Sequence, residues 1–172
     1  MAKQSLTLEA IQSKVDGRVS KLASSGYEHA DVQTKKWKSL LKSITKADVA
    51  AAAKKLDVDA DQVLSFFESG QIYAVQKTVA ALMAIGRGDK SAFNTYDRHI
   101  LSLFAAGKDT IDNNVACKSI ASKLSKTPKT ASTQRSSSAK SLQALGVLTA
   151  TSSNMTVNDK SVVYLAITAT VS

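Results

Sequence analysis

Residues 126 to 140 read KTPKTASTQRSSSAK. Threonine, serine and glutamine here offer hydrogen-bond donors and acceptors, lysine and arginine offer fixed positive charge, and no carboxylate interrupts them. Such side chains recognise a partner by hydrogen bonding and charge neutralisation. They do not trade protons at neutral pH.

The supply of groups that could do bond-making chemistry is thin. The chain has two histidines, His29 and His99, and one cysteine, Cys117. It has no HExxH, no CxxC, no glycine-rich phosphate loop and no nucleophile elbow. His99 shares a helical segment with Tyr96 and Asp97 and reads as a boundary side chain rather than a base. Cys117 has apolar neighbours and reads as buried and inert. The expectation is therefore a non-enzymatic protein without a cofactor. A lone cysteine also excludes an internal disulfide framework, which fits a reducing, cytoplasmic setting.

One acidic segment resembles a metal loop. Asp57, Asp59, Asp61 and Glu68 stand at the first, third, fifth and twelfth positions of an EF-hand calcium loop. The sixth position, where that loop turns on a glycine, is Gln62. Helix capping accounts for the acids without calcium: Thr45 with Asp48, and Asp59 with Gln62, each form a capping box.

The chain has 172 residues, of which 44% are hydrophobic, enough to build a core without disulfides or metal. Its formal net charge is +9, which favours polyanionic partners such as DNA, RNA or an anionic surface. The surplus is uneven. Met1 to Thr110 carry 16 basic and 12 acidic residues, whereas Ile111 to Ser172 carry 7 and 2. The N-terminus MAKQSLTLEA lacks the apolar core of a signal peptide, and apolar runs such as VAALMAIG are too short to span a bilayer. No membrane partner is expected.

The positioning elements are mainly helical. Leu8, Ile11, Val15, Val19 and Leu22 recur at spacings of three and four, predicting a helix over 6 to 24. Trp37, Leu40, Leu41 and Ile44 form one face of the next helix, with Lys35, Lys36, Lys38 and Lys42 around the rest. A tryptophan among lysines can stack a base, but the spacing favours Trp37 as the anchor of a buried face. Two helices then meet at Asp57 to Asp59. Ala53, Val58, Val63 and Phe66 take the apolar spacings of a helix-turn-helix, although the turn position usually filled by glycine is Asp57, and Asp59 and Asp61 at the head of its second helix would repel phosphate. A further helix carries Ile72, Val75, Val79, Leu82 and Met83, and GRGDK at 86 to 90 marks a boundary. The division is a helical region over 1 to 88, for dimerisation or partner binding, and a second domain over 89 to 172.

In that second domain, Ser91 can cap a helix bearing Phe93, Tyr96, Ile100, Leu103 and Phe104, ended by Gly107. Asp112 or Asn113 opens a shorter helix with Val115, Ile120 and Leu124 inward, stopped by Thr127 and Pro128. From near Thr130 to Leu145, Ala131, Ser138, Ala139, Leu142 and Leu145 share one side, and Gly146 closes the helix. The remainder is rich in β-branched residues and broken by Asn158-Asp159. It predicts a hairpin with Met155 to Val157 and Val162 to Thr168 as strand cores.

Three helices followed by a hairpin resemble the winged helix-turn-helix superfamily. The resemblance is carried by Ile120-Ala121-x-x-Leu124, the turn at Pro128, and Leu142-x-x-Leu145-Gly146-Val147-Leu148, and covers roughly 91 to 172. It implies a third helix, 130 to 145, that enters the DNA major groove, and a wing, 153 to 168, that touches phosphate. Carried over by position, the contacting residues are Thr133, Gln134, Arg135, Ser136, Ser137 and Lys140 on that helix. Lys126 and Lys129 flank it, with Lys118 nearby, and Lys160 sits at the wing tip. Gln134 and Lys140 are the cleanest choices, because Arg135 falls near the apolar side and reaches out only by snorkelling. The implied function is double-stranded DNA binding by a regulator of transcription or replication; the N-terminal helices would supply a homodimer interface or partner binding. The alternative is a structural or assembly protein, such as a viral component, that forms a homo-oligomer through its helices.

Overall fold

The computed structural model describes residues 6–44, 46–86, 93–162 and 164–165. The chain is mainly helical with a small antiparallel sheet near its C-terminus, and it divides into two compact units, Met1–Arg87 and Gly88–Ser172.

The first unit holds α1 (Leu8–Ser24), α2 (Ala30–Ser43), α3 (Lys46–Lys55), α4 (Ala60–Ser69) and α5 (Ile72–Gly86). The spacing of three and four in α1 brings Ile11 and Val15 inside, and Trp37 of α2 is 1% exposed. Trp37 is thus a core anchor, packed 6.5 Å from the Phe67 ring. Phe67, rather than Phe66, is the fully buried member of that pair. Asp59 caps α4, its Oδ1 accepting from the backbone N–H groups of Asp61 and Gln62. Among the described residues no group of three or more His, Cys, Asp or Glu gathers as a metal site. Asp57 takes φ 51 at the exit of α3, the left-handed geometry that usually selects glycine. Val58 N–H reaches back to the Ala53 carbonyl to close the turn. Thr45, proposed as the cap of α3, lies outside the described residues.

The second unit runs α6 (Thr95–Ala105), β1 (Thr110–Asp112), α7 (Asn113–Lys123), α8 (Pro128–Ala144), β2 (Leu148–Ala150) and β3 (Asn154–Val157). Asn94 caps α6 through its side-chain oxygen; Ser91 lies outside the described residues. β1 pairs antiparallel with β3, and β3 with β2, giving the order β1-β3-β2. Ile111 and Met155 lie opposite each other and inward, joining Ile100, Ile120, Leu142 and Leu148 in one core. Small residues, Ala116 on α7 and Ala131 and Ala139 on α8, are fully buried and let these helices approach closely.

The hairpin differs from its predicted register. Its strands are β2 and β3, joined by Thr151–Ser153, and the described residues after Ser161 begin a helical turn. Two local hydrogen-bond sets explain this. Thr151 Oγ1 accepts from Ser153 N–H and Asn154 N–H, folding a tight turn there. Asn158 is tied to the end of α8: its N–H donates to the Val147 carbonyl and its Nδ2 to the Gly146 carbonyl. Asn158-Asp159 therefore turns the chain out of the sheet, and Ser161 Oγ accepts from Tyr164 N–H to start the helical turn. Residues 166 to 168 of the predicted strand lie outside the described residues.

Candidate functional site

α8 is built to be held at both ends. Thr127 Oγ1 accepts from Thr130 N–H at 3.2 Å, and Pro128 fills the first turn, where a missing N–H costs nothing. At the far end Gly146 takes φ 75, its N–H bonds the Gln143 carbonyl, and Val147 N–H bonds the Leu142 carbonyl. This is a Schellman closure, with Val147 and Leu142 both buried beneath it.

Between these ends the helix sorts its residues by face. Ala131, Ser138, Ala139, Ser141, Leu142 and Ala144 are buried. Lys129, Ser132, Thr133 and Lys140 are exposed, with Ser136 half-exposed. At 3.6 residues per turn these five form one outward stripe. Thr133 Oγ1 is committed to the Lys129 carbonyl at 3.1 Å, whereas the Ser132 and Ser136 hydroxyls and both ammonium groups bond to nothing among the described residues. Ser132 was missed by sequence reasoning, although its spacing of three from Lys129 was available as a signal.

The other expected contacts are placed differently. Gln134 is half-buried and lies six residues from Lys140, roughly 120° round the helix, so the two point in different directions. Arg135 is half-buried, and its Nε is shielded from solvent without a hydrogen-bond partner. Ser137 is half-buried with its Oγ equally orphaned. Lys126 is exposed in the turn before α8, just after Ser125 at φ 51. Lys118 is exposed on α7. Lys160 is exposed but not at the hairpin tip; it belongs to the turn anchored on the C-terminal end of α8.

The electrostatic setting is one-sided. From Asn113 to Asn158 the sequence has six basic residues and no acid. The hairpin itself carries no charge: its tip is Thr151, Ser152 and Ser153. The outer sheet face presents Thr110, Thr156 and Thr149 in one cross-strand row, all exposed. Thr110 Oγ1 and Thr156 Oγ1 are 3.1 Å apart. Sequence reasoning missed this row because β1 itself was missed.

His99 supports the scaffold. Its Nε2 lies 2.9 Å from Ser119 Oγ, linking α6 to α7. Burial, followed by the nearby Lys123 charge, lowers its pKa below the ordinary 6.5. The unfolded chain therefore binds a proton at this position more readily than the folded one. Stability is complete above pH 6.5 and declines as pH falls through 6.5 toward the lower folded value. His99→Gln is expected to flatten that part of the stability profile, measured by urea denaturation between pH 7.5 and 5. Cys117 is half-buried rather than sealed in the core.

A second expectation follows from Ser138, which is 0% exposed with an Oγ that has no partner. An unsatisfied buried hydroxyl costs about 1 to 3 kcal/mol. Ser138→Ala is expected to stabilise the protein by about 1 kcal/mol, read as a rise in melting temperature of about 2 to 4 °C by calorimetry. No family model, curated protein or solved structure matches the chain.

Proposed function

We propose that the Gly88–Ser172 unit is a winged helix that binds double-stranded DNA, with α8 in the major groove. The observation that carries this reading is the outward stripe Lys129, Ser132, Thr133, Ser136 and Lys140 on a capped helix, inside a stretch of sequence without a single acid. Lysines neutralise phosphates, and serine or threonine hydroxyls reach base edges or phosphate oxygens. The order helix, strand, two helices and hairpin, with β1 against β3, agrees with the winged arrangement.

In this reading the wing is the short turn Thr151–Ser153. It carries no cation, so it contributes hydrogen bonds and no charge neutralisation. Phosphate contacts fall instead on Lys126, Lys129 and Lys140, with Lys118 and Arg135 as flanking candidates. Gln134 and Ser137 are lesser contributors, because each is partly covered by its own unit. Lys160 stands at the wrong end of α8 to join them. A role in transcription or replication, in the cytoplasm, follows by analogy with the fold alone.

The test is a titration of labelled duplex and single-stranded oligonucleotides with the full chain across a salt series. With three to five phosphate contacts, log K for duplex should fall against log salt with a slope of roughly −3 to −4.5. Preference for the single strand, or a slope near zero, would sink the reading.

A further inference from the structure

The first unit carries a feature that the DNA reading leaves unused. A groove of about 510 Å³ runs between α2 and α5, floored by Leu40, Val79 and Met83, with Ala80 exposed on one wall. Ser39, Ser43 and Gln76 complete the lining.

Its two walls, α2 and α5, carry five lysines and one acid. Lys36 stands two turns before Ser43 and in line with it, while Lys35 and Lys42, four residues before and three after Ser39, border the groove's Ser39 edge. All three are exposed, and none forms an ion pair among the described residues. The only acid of α2 is Asp31 in its first turn, and α5 has none. A nucleic acid is the poorer fit. A single strand binds through aromatic platforms, and the one tryptophan among these lysines is 1% exposed. An apolar floor also gives nothing to a phosphate backbone.

We propose that the α2–α5 groove docks an acidic amphipathic helix of a partner protein. Its apolar stripe seats on Leu40, Val79 and Met83, and its carboxylates meet Lys35, Lys36 and Lys42. From Gln76 to Met83 the α5 wall spans roughly 10 Å, which accommodates about two turns of the docked helix. The apolar stripe supplies affinity, while the lysine rim selects for acidic flanks and speeds encounter. This inference concerns the first unit and does not depend on what α8 binds.

The probe is a synthetic four-turn peptide with leucine at i, i+3, i+4 and i+7 and glutamate elsewhere, titrated into the isotope-labelled full chain and followed by NMR. Saturable amide shifts are expected at Ser39, Ser43, Gln76, Ala80 and Met83. Ala80→Arg, which fills the groove, and the pair Lys36→Glu with Lys42→Glu should each weaken binding about ten-fold or more. Neither should move the melting temperature or the affinity for duplex. Three outcomes overturn the proposal: no shift at millimolar peptide, equal binding of a lysine-for-glutamate peptide, or shifts on α2 induced instead by single-stranded DNA. Groove shifts that grow with protein concentration alone would overturn it in favour of self-association.

Discussion

Replacing Lys129 and Lys140 together by glutamate is expected to weaken duplex binding about a hundred-fold at physiological ionic strength and to leave the melting temperature in place. Both side chains are exposed on the outward stripe of α8 and hold no ion pair among the described residues, so folding has little stake in them. In the proposed complex each reversal would remove a phosphate contact and put a carboxylate against the backbone, a combined loss of about 3 kcal/mol, or roughly two factors of ten. The salt slope should become shallower by about 2 as two contacts disappear.

Graded controls separate a groove-bound helix from diffuse attraction to a basic protein. Lys160→Ala removes one positive charge at the C-terminal end of α8 and should change affinity less than two-fold. Ser132→Ala and Ser136→Ala should act through sequence preference more than through the salt slope. Fluorescence anisotropy with duplexes of fixed length reads all of these. If the double reversal and Lys160→Ala cost the same per charge, α8 is not the contacting element.

The helices were largely legible because their information is local. The stripe of α1, the Trp37 face of α2 and the body of α8 from Thr130 to Gly146 each combine periodic burial with a cap or stop within a few residues, whereas Thr127 and Pro128, read as the stop of the preceding helix, in fact open α8. The division of α8 into a small-residue back and a hydroxyl-rich front was readable for the same reason. Its limits show in Gln134: helical geometry alone sets it about 120° from Lys140, but its partial burial depends on what packs beside that flank of α8.

The sheet was not legible, because its pairings are non-local. β1 is three residues long, too short to show alternation, and it exists because Ile111 meets Met155 some forty residues away. The β-branched run after Ser161 looked like a better strand than Leu148–Ala150. Asn158 decided otherwise by bonding back to Gly146 and Val147, which no window of neighbouring residues reveals. Asp57 shows the converse. Sequence marked it as standing where glycine is usual, and the backbone adopts the left-handed geometry there regardless.

The largest stability effect is expected at Trp37. It is fully buried, stacked at a tilt on Phe67, and covered by the Arg18 guanidinium 5.0 Å from its ring centre. Removing a buried tryptophan side chain costs about 3 to 5 kcal/mol through lost apolar burial and the cavity left behind. Trp37→Ala also strips Arg18 of the ring face that compensates its partial burial, which already lowers its pKa from the ordinary value. Arg18 would keep its bond to the Glu68 carbonyl, and Glu68 its ion pair with Lys14, both at 2.6 Å. The cluster would thus persist at its polar rim and fail at its centre. A fall in melting temperature of about 10 °C or more is expected, followed by circular dichroism because the variant has no tryptophan left to report. A double-mutant cycle with Arg18→Ala isolates the ring–cation contact, for which a coupling of about 0.5 to 2 kcal/mol is expected. Trp37→Phe should retain most of the stability and little of that coupling. Strict additivity of Trp37→Ala and Arg18→Ala would mean that Arg18 covers the ring without stabilising it.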